Sequence, residues 1–433
     1  MTYQEAVNYI ESQLRFGMKP GFERINGLLD LLGHPEKELR YVHVAGTNGK
    51  GSVCTEVANI LQAAGYRVGL FTSPYVVTFR ERIRVDGKYI DPVLMGQLTE
   101  QVKAAAEELA KQDILPTEFE IITALAFLYF RQTACSIVVL EVGLGGLLDS
   151  TNVIEAPLVC GITSLSMDHT AILGSTLPEI AAQKAGIMKP GVPVVTAEGQ
   201  APEAMAVLEQ TAAEKGCTLS VGSTASIQVL STSIYGTELK LEGLKVRLPL
   251  IGSHQIQNLG VTLGIIHVLR ERGFYIGARH VKAGLEFSVI PARLEVLRKE
   301  PLILLDGGHN AGGIQALSDA LSAYTESGSR VFLMGVMADK EVDRMICELA
   351  PLAGTIVTTT PGNPRAMPAE ELRQHLLDAG FPAKKLIAVS QPEKAFDKAL
   401  SLAGKNPLIV CGSLYLAGDV RQHILDVLEE SET

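Results

Sequence analysis

Short apolar, β-branched runs alternate with longer stretches whose apolar residues recur at helical spacing. The runs are YVHVAG (41–46), YRVGLF (66–71), SIVVLEVG (136–143), APLVCGIT (156–163) and VPVVTA (192–197). Between them the pattern predicts helices from Val53, over 92–111 and over 118–132. This alternation predicts an α/β domain with a doubly wound, mainly parallel sheet and helices on both faces. The stretch 218–250 reads differently: LSVGS, SIQVLS, IYGTELKLEG and KVRLPL are strand-like and separated by Gly, Ser and Thr. It predicts a small antiparallel meander added to the first domain. A helix from about His254 to Arg272 follows, then a shorter one ending near Glu286, then FSVIPARLEV, whose proline and mixed polarity suit a linker. From Leu302 the alternation restarts with LILLD, RVFLMG, GTIVTT, KLIAV and PLIVCG, with helices from Gly312, Glu341, Ala369, Pro392 and Leu414. Strand followed by helix throughout predicts a second, smaller, Rossmann-like α/β domain. The expected division is 1–290, a linker at 291–300, and 301–433, with a cleft where the two domains meet.

Composition narrows the function classes. The chain has 433 residues, 47% hydrophobic and 20% charged, enough for about two or three domains. Lys plus Arg number 38 and Asp plus Glu 48, a net charge of -10, and no basic run offers itself to a phosphate backbone, which argues against nucleic acid as a partner. Residues 1–17 mix charged and apolar positions at helical spacing without an apolar core segment, so they predict a surface helix and not a signal peptide; a cytoplasmic location is expected. No window approaches the roughly 18 apolar residues a membrane span needs. The six cysteines, at 54, 135, 160, 217, 347 and 411, show no paired spacing and read as free buried thiols. A monomer is the default expectation.

The strongest local signal is YVHVAGTNGKGSVCTEVANIL: an apolar strand, a Gly-rich turn carrying Lys50 and Ser52, then a helix. Glycines 46, 49 and 51 let backbone N–H groups turn toward an anion, Lys50 offers a point charge to terminal phosphates, and Ser52 can reach a magnesium ion. The spacing departs from GxxxxGK[ST], since Gly51 separates Lys50 from Ser52. A turn that binds nothing is the bland alternative, and the ordered arrival of strand, glycines, lysine, hydroxyl and helix argues against it.

GTNGKGS resembles the phosphate loop of Mur-type amide ligases, and further segments are similar to the folylpolyglutamate synthase and dihydrofolate synthase branch of that superfamily. With no NKxD guanine motif present, the resemblance implies ATP, contacted by Gly49, Lys50, Gly51 and Ser52. FTSPYVVTFRERI resembles the TSPH...ERI segment, with Tyr75 where many relatives have histidine, and implies Ser73 as a magnesium contact. Glu141, in EVGLGGLLDSTN, should project from a strand's carboxyl end, and a carboxylate there suits Mg²⁺. His169, in SMDHTAILG, is implied as a further metal ligand. IAAQKAGI resembles the family's IAxEKAGI helix with Gln183 for the usual Glu, so Lys184 matches a lysine carbamylated in many of these enzymes. TEFEIITALAF implies Thr117, Phe119 and Glu120 at the pteroate pocket, joined by Asp149. GSHQIQNLG implies Asn258 as an ATP contact, PARLEV and LLDGGHNAGG imply Arg293 and Asp306 likewise, and GSLYLAGDV is the last matching segment.

The implied reaction joins L-glutamate to a folate or to dihydropteroate through an acyl phosphate, with Lys50 and Lys184 at the phosphates and His309 a candidate to orient or deprotonate the amine. Closure of the two domains would keep water from the acyl phosphate. Another Mur-type amino-acid ligase is one rival, disfavoured because the phosphate loop begins at Gly46 with no room before it for a UDP-sugar domain. A nucleotide-dependent switch protein is the other, and the DGGHN segment argues against it.

Overall fold

The computed structural model describes residues 1–13, 21–325 and 328–432. The N-terminal amphipathic segment is a helix over Tyr3–Ser12, capped by a Thr2–Glu5 box and burying Ala6, Val7 and Ile10. The rest of the predicted segment, 14–17, lies outside the described residues.

The first sheet contains Tyr41–Ala45 (β1), Val68–Phe71 (β2), Ile83–Val85 (β3), Lys88–Tyr89 (β4), Ile137–Glu141 (β5), Val159–Ile162 (β6), Val194–Ala197 (β7) and Leu219–Gly222 (β8). Their order is β4-β3-β2-β5-β1-β6-β7-β8. β1 pairs in parallel with both β5 and β6, through Val42↔Val139 and Val42↔Val159. At one end of the sheet β3 pairs antiparallel with β2, and the edge strand β4 antiparallel with β3. β1, β5, β6 and β7 are buried along their whole length, which is why each reads as a mostly apolar run, interrupted by His43 in β1, Glu141 in β5 and Thr196 in β7. From β1 the chain leaves toward β2, and from β6 toward β7 on the other side. The reversal opens a crevice at the carboxyl ends of these neighbouring strands.

Two sequence expectations are corrected here. LSVGS does not belong to a meander: β8 pairs in parallel with β7, Val194↔Leu219, after the helix Pro202–Glu214. The α/β alternation runs one round further than the composition suggested, because β8 is an edge strand with exposed residues. Second, the presumed linker contains Glu295–Arg298, a strand antiparallel to Ile303–Leu305.

The meander itself comprises Gln228–Ser233 (β9), Gly236–Leu241 (β10) and Leu244–Leu248 (β11), in the order β11-β10-β9. With Glu295–Arg298 as β12 and Ile303–Leu305 as β13, the last sheet adds Val331–Met334 (β14), Thr355–Thr358 (β15), Leu386–Ala388 (β16) and Leu408–Cys411 (β17). Its order is β12-β13-β17-β14-β15-β16, parallel except for β12. By contacts the chain forms two compact units, one of residues 1–228, 240–246 and 255–288, the other of 229–239, 247–254 and 289–433. The meander is therefore not wholly part of the first unit. Ile234 and Ile251 pack in the core of the second, with Leu294 and Leu304.

Among the described residues no helix is long and apolar enough to cross a membrane. All six cysteines are free, but Cys347 is exposed and Cys217 half-buried, so the expectation of buried thiols holds only for the other four.

The helix Ala278–Glu286 lies so close to the helix Lys50–Ala63 that a Cβ on Gly284 would stand 2.4 Å from the Ile60 nitrogen. Backbone cannot yield there as a flexible side chain could. Gly284→Ala is expected to cost about 1–3 kcal/mol, read as a lower urea midpoint; an unchanged midpoint would show that the two helices separate freely.

Candidate functional site

The turn after β1 is held open by glycine. Gly49 caps the helix Lys50–Ala63 at φ 88°, and a Cβ there would lie 2.1 Å from Asn258 Oδ1. Asn258 is buried on the helix His254–Glu271, its Nδ2 donating to Gln255 Oε1 at 2.9 Å. The helix starts at Lys50, earlier than Val53, because left-handed Gly49 lets the turn end at once. Thr47 straps this turn to the segment after β6. Its N–H donates to Ser164 O at 2.9 Å, and its hydroxyl both donates to Ser166 O and accepts from Ser166 N–H, each at 3.1 Å.

Two lysines converge on one carbonyl. Lys50 Nζ donates to Gly46 O and Thr47 O, both at 3.1 Å, and Lys184 Nζ donates to Gly46 O at 2.8 Å. Lys184 comes from the helix Leu177–Ala185 and is 5% exposed. Burial first, and then the charge of Lys50, bring its pKa down to about 7, against the pull of Asp168 and Asp149. Lys50, Lys184 and His169 line one small pocket with Thr47, Asp168 and the 143–145 loop. His169 sits on its rim, left-handed at φ 49°, starting the short helix Thr170–Leu173.

Glu141 is buried at the end of β5, its Oε2 accepting from the Ser73 N–H at 3.1 Å. Both its oxygens lie 3.9 Å from where a Cβ on Gly51 would be, and Ser52 is buried beside it in sequence. Among the described residues no group of three or more His, Cys, Asp or Glu side chains could by itself hold a metal ion. Hard oxygen donors, few in number and next to a phosphate loop, nevertheless fit Mg²⁺, which keeps several waters and takes phosphate oxygens.

The residues expected at the pteroate pocket divide. Phe119 faces the site loop: a Cβ on Gly143 would meet its ring at 2.4 Å, and the ring packs against Phe71. Thr117 and Glu120 form the capping box of the helix Glu118–Gln132, and Glu120 also pairs with Arg24, Nη2 to Oε1 at 3.0 Å. Asp149 is buried and shapes the loop, accepting from Leu144 N–H and Thr151 N–H at 2.9 Å and from the Thr151 hydroxyl at 2.6 Å. That hydroxyl also bonds His43 Nε2 at 2.9 Å. Thr47 and His43 were missed by sequence reasoning, and Asp168 was given no role there. A Thr inside GTNGKG and an Asp beside His169 were visible signals, whereas nothing local marks His43.

Arg293, Asp306 and His309 belong to the second unit. Asp306 is buried, accepting from Leu294 N–H at 2.9 Å and Gly308 N–H at 2.8 Å. Burial raises its pKa, against the opposing charge of Arg293. Arg293 stands between two left-handed residues, Ala292 at φ 54° and Leu294 at φ 46°. That backbone is held by Asp306 and by Glu295, whose Oε2 accepts from Ala292 N–H at 2.9 Å. His309 Nδ1 donates to Gly307 O at 3.0 Å, since a carbonyl can only accept.

Two family descriptions match the chain: the Mur ligase middle domain over residues 44–266, and the Mur ligase glutamate ligase domain over 292–414. The dihydrofolate synthase/folylpolyglutamate synthase of Bacillus subtilis (strain 168) is 37% identical over 433 residues, covering 98% of this chain and 99% of that protein. The crystal structure of Mycobacterium tuberculosis folylpolyglutamate synthase complexed with ADP and AMPPCP superposes with a TM-score of 0.87 at 30% identity, over 98% of this chain and 99% of the other. A solved FPGS–AMPPCP–folate complex gives a TM-score of 0.83 at 35% identity, over 98% and 100%.

Gly49→Ala should displace Asn258 and strain the turn. ADP affinity measured by calorimetry is expected to fall at least about tenfold, with circular dichroism unchanged; retained affinity would show the close approach to be dispensable.

Proposed function

The chain belongs to the Mur ligase family, in its folylpolyglutamate and dihydrofolate synthase branch, and on that premise we propose that it joins L-glutamate to folates and to dihydropteroate, consuming ATP. The observation that carries the proposal is the pair Lys50 and Lys184 on the Gly46 carbonyl, at the mouth of a glycine-turned phosphate loop.

The chemistry follows from what a carboxylate lacks, which is a leaving group. The γ-phosphoryl of ATP passes to the pterin substrate's carboxylate, breaking the bond to ADP and forming an acyl phosphate. Loop N–H groups from Gly49, Gly51 and Ser52, with the Lys50 ammonium, stabilise the transferring charge. The amine of glutamate then attacks the acyl carbon, inorganic phosphate leaves, and the nitrogen loses a proton. We assign His309 to that proton, its ring oriented by the hydrogen bond that Nδ1–H donates to Gly307 O. Arg293 and Asp306 are proposed to contact ATP, Asn258 to support the phosphate loop, and Phe119 to contact the pterin-bearing substrate. Thr117, Glu120 and Asp149 are assigned the shaping of that pocket. Glu141, Ser73 and His169 are the residues that would hold Mg²⁺, which when bound neutralises phosphate charge.

Lys184 carries a separate proposal. An amine with a pKa near 7 is largely neutral above that pH, so carbon dioxide can add to its nitrogen with loss of a proton, giving a carbamate anion. Labelling with ¹³C-bicarbonate should show a carbamate resonance that grows as pH rises through 7 and is missing from Lys184→Arg; a resonance present in both would move the modification elsewhere.

For the reaction itself, ADP release is expected to require glutamate together with tetrahydrofolate or dihydropteroate. Lys50→Ala should lower it by about a thousandfold or more, with the fold intact by circular dichroism. Turnover that needs no pterin, or that survives in Lys50→Ala, would overturn the assignment.

A further inference from the structure

The phosphate-loop helix contains an ionisable residue the reaction does not use. Glu56 is fully buried on the helix Lys50–Ala63, two turns beyond Gly49. Its Oε2 accepts from the Thr262 hydroxyl at 2.5 Å, and its Oε1 is buried with no hydrogen-bond partner among the described residues. Its helical neighbours Val53, Val57 and Ile60 are all fully buried. Thr262 lies on the helix His254–Glu271, one turn beyond Asn258. Residues four apart share a helix face, so the side that puts Asn258 against Gly49 puts Thr262 against Glu56. The two helices are thereby registered at two points along their contact.

A carboxyl with one oxygen unsatisfied costs stability compared with an apolar residue of similar size. Packing alone would favour leucine or methionine at this position. What a directional bond adds is a fixed register between the helices, and the register is what decides where Asn258 stands. We propose that Glu56, through Thr262, is a positioning residue for nucleotide binding, locking Asn258 against Gly49 and holding the phosphate loop in its binding shape. Burial raises its pKa to about 8, so near pH 7 it is a neutral carboxyl, which glutamine imitates in shape and hydrogen bonding.

This inference rests on the reading of the loop as an ATP site, so the test begins with ADP titrated calorimetrically into the parent protein. No binding there would sink that reading and this one together. With binding established, Glu56→Ala and Thr262→Val are each expected to weaken ADP affinity and raise KM for ATP by about tenfold, the loss of one hydrogen bond to a buried group. KM for glutamate and kcat should stay near their parent values. Glu56→Gln should restore ADP affinity to within about twofold, and the double variant Glu56→Ala/Thr262→Val should be no weaker than its weaker single. Nucleotide affinity that is unchanged while Tm falls would make the pair a packing feature only and overturn the proposal, as would an equal rise in every substrate's KM. Should Glu56→Ala not fold, Thr262→Val decides alone, since it keeps the side-chain volume and removes only the donor.

Discussion

The pocket depends on a single backbone carbonyl. Gly46 directly follows β1, and its oxygen receives both Lys50 and Lys184. Two ammonium groups on one acceptor repel each other, and the deeper of them has lost most of its water. Protein surroundings of this kind favour the neutral amine, which is why Lys184 is brought near neutrality.

In each unit, several polar side chains hold backbone shape. Thr47 ties the phosphate turn to the segment after β6. Asp149, supported by Thr151 and His43, holds the loop that follows β5. In the second unit Asp306 and Glu295 hold two left-handed residues on either side of Arg293. Each arrangement fixes the local backbone and the N–H groups it carries. Thr117 and Glu120, expected at the pteroate pocket, also bond within the protein, as a capping box and, for Glu120, a pair with Arg24.

Much of the fold was legible in the sequence. The buried parallel strands announce themselves as β-branched runs, and the helices over 92–110 and 118–132 follow from periodicity with caps at Asp91 and Thr117. Edge strands were harder: β8 and β12 carry exposed or half-exposed residues, so one was placed in the meander and the other in a linker. The meander's division between the units was equally hidden, because Ile234 and Ile251 differ from other apolar residues only in what they pack against.

The sequence by itself determined the chemistry on offer: a glycine-turned loop with Lys50 and Ser52, carboxylates after strands, and a lysine in an IAAQKAGI helix. These are local properties, since a turn's φ angles and a strand's end depend on nearby residues. Only the tertiary structure decided which groups meet. Lys184 stands 138 positions from Gly46, and Thr262 stands 206 from Glu56. Such distant pairings are fixed by the order of strands in the sheet and the packing of helices, and with them come the burial and charge that set each group's reactivity.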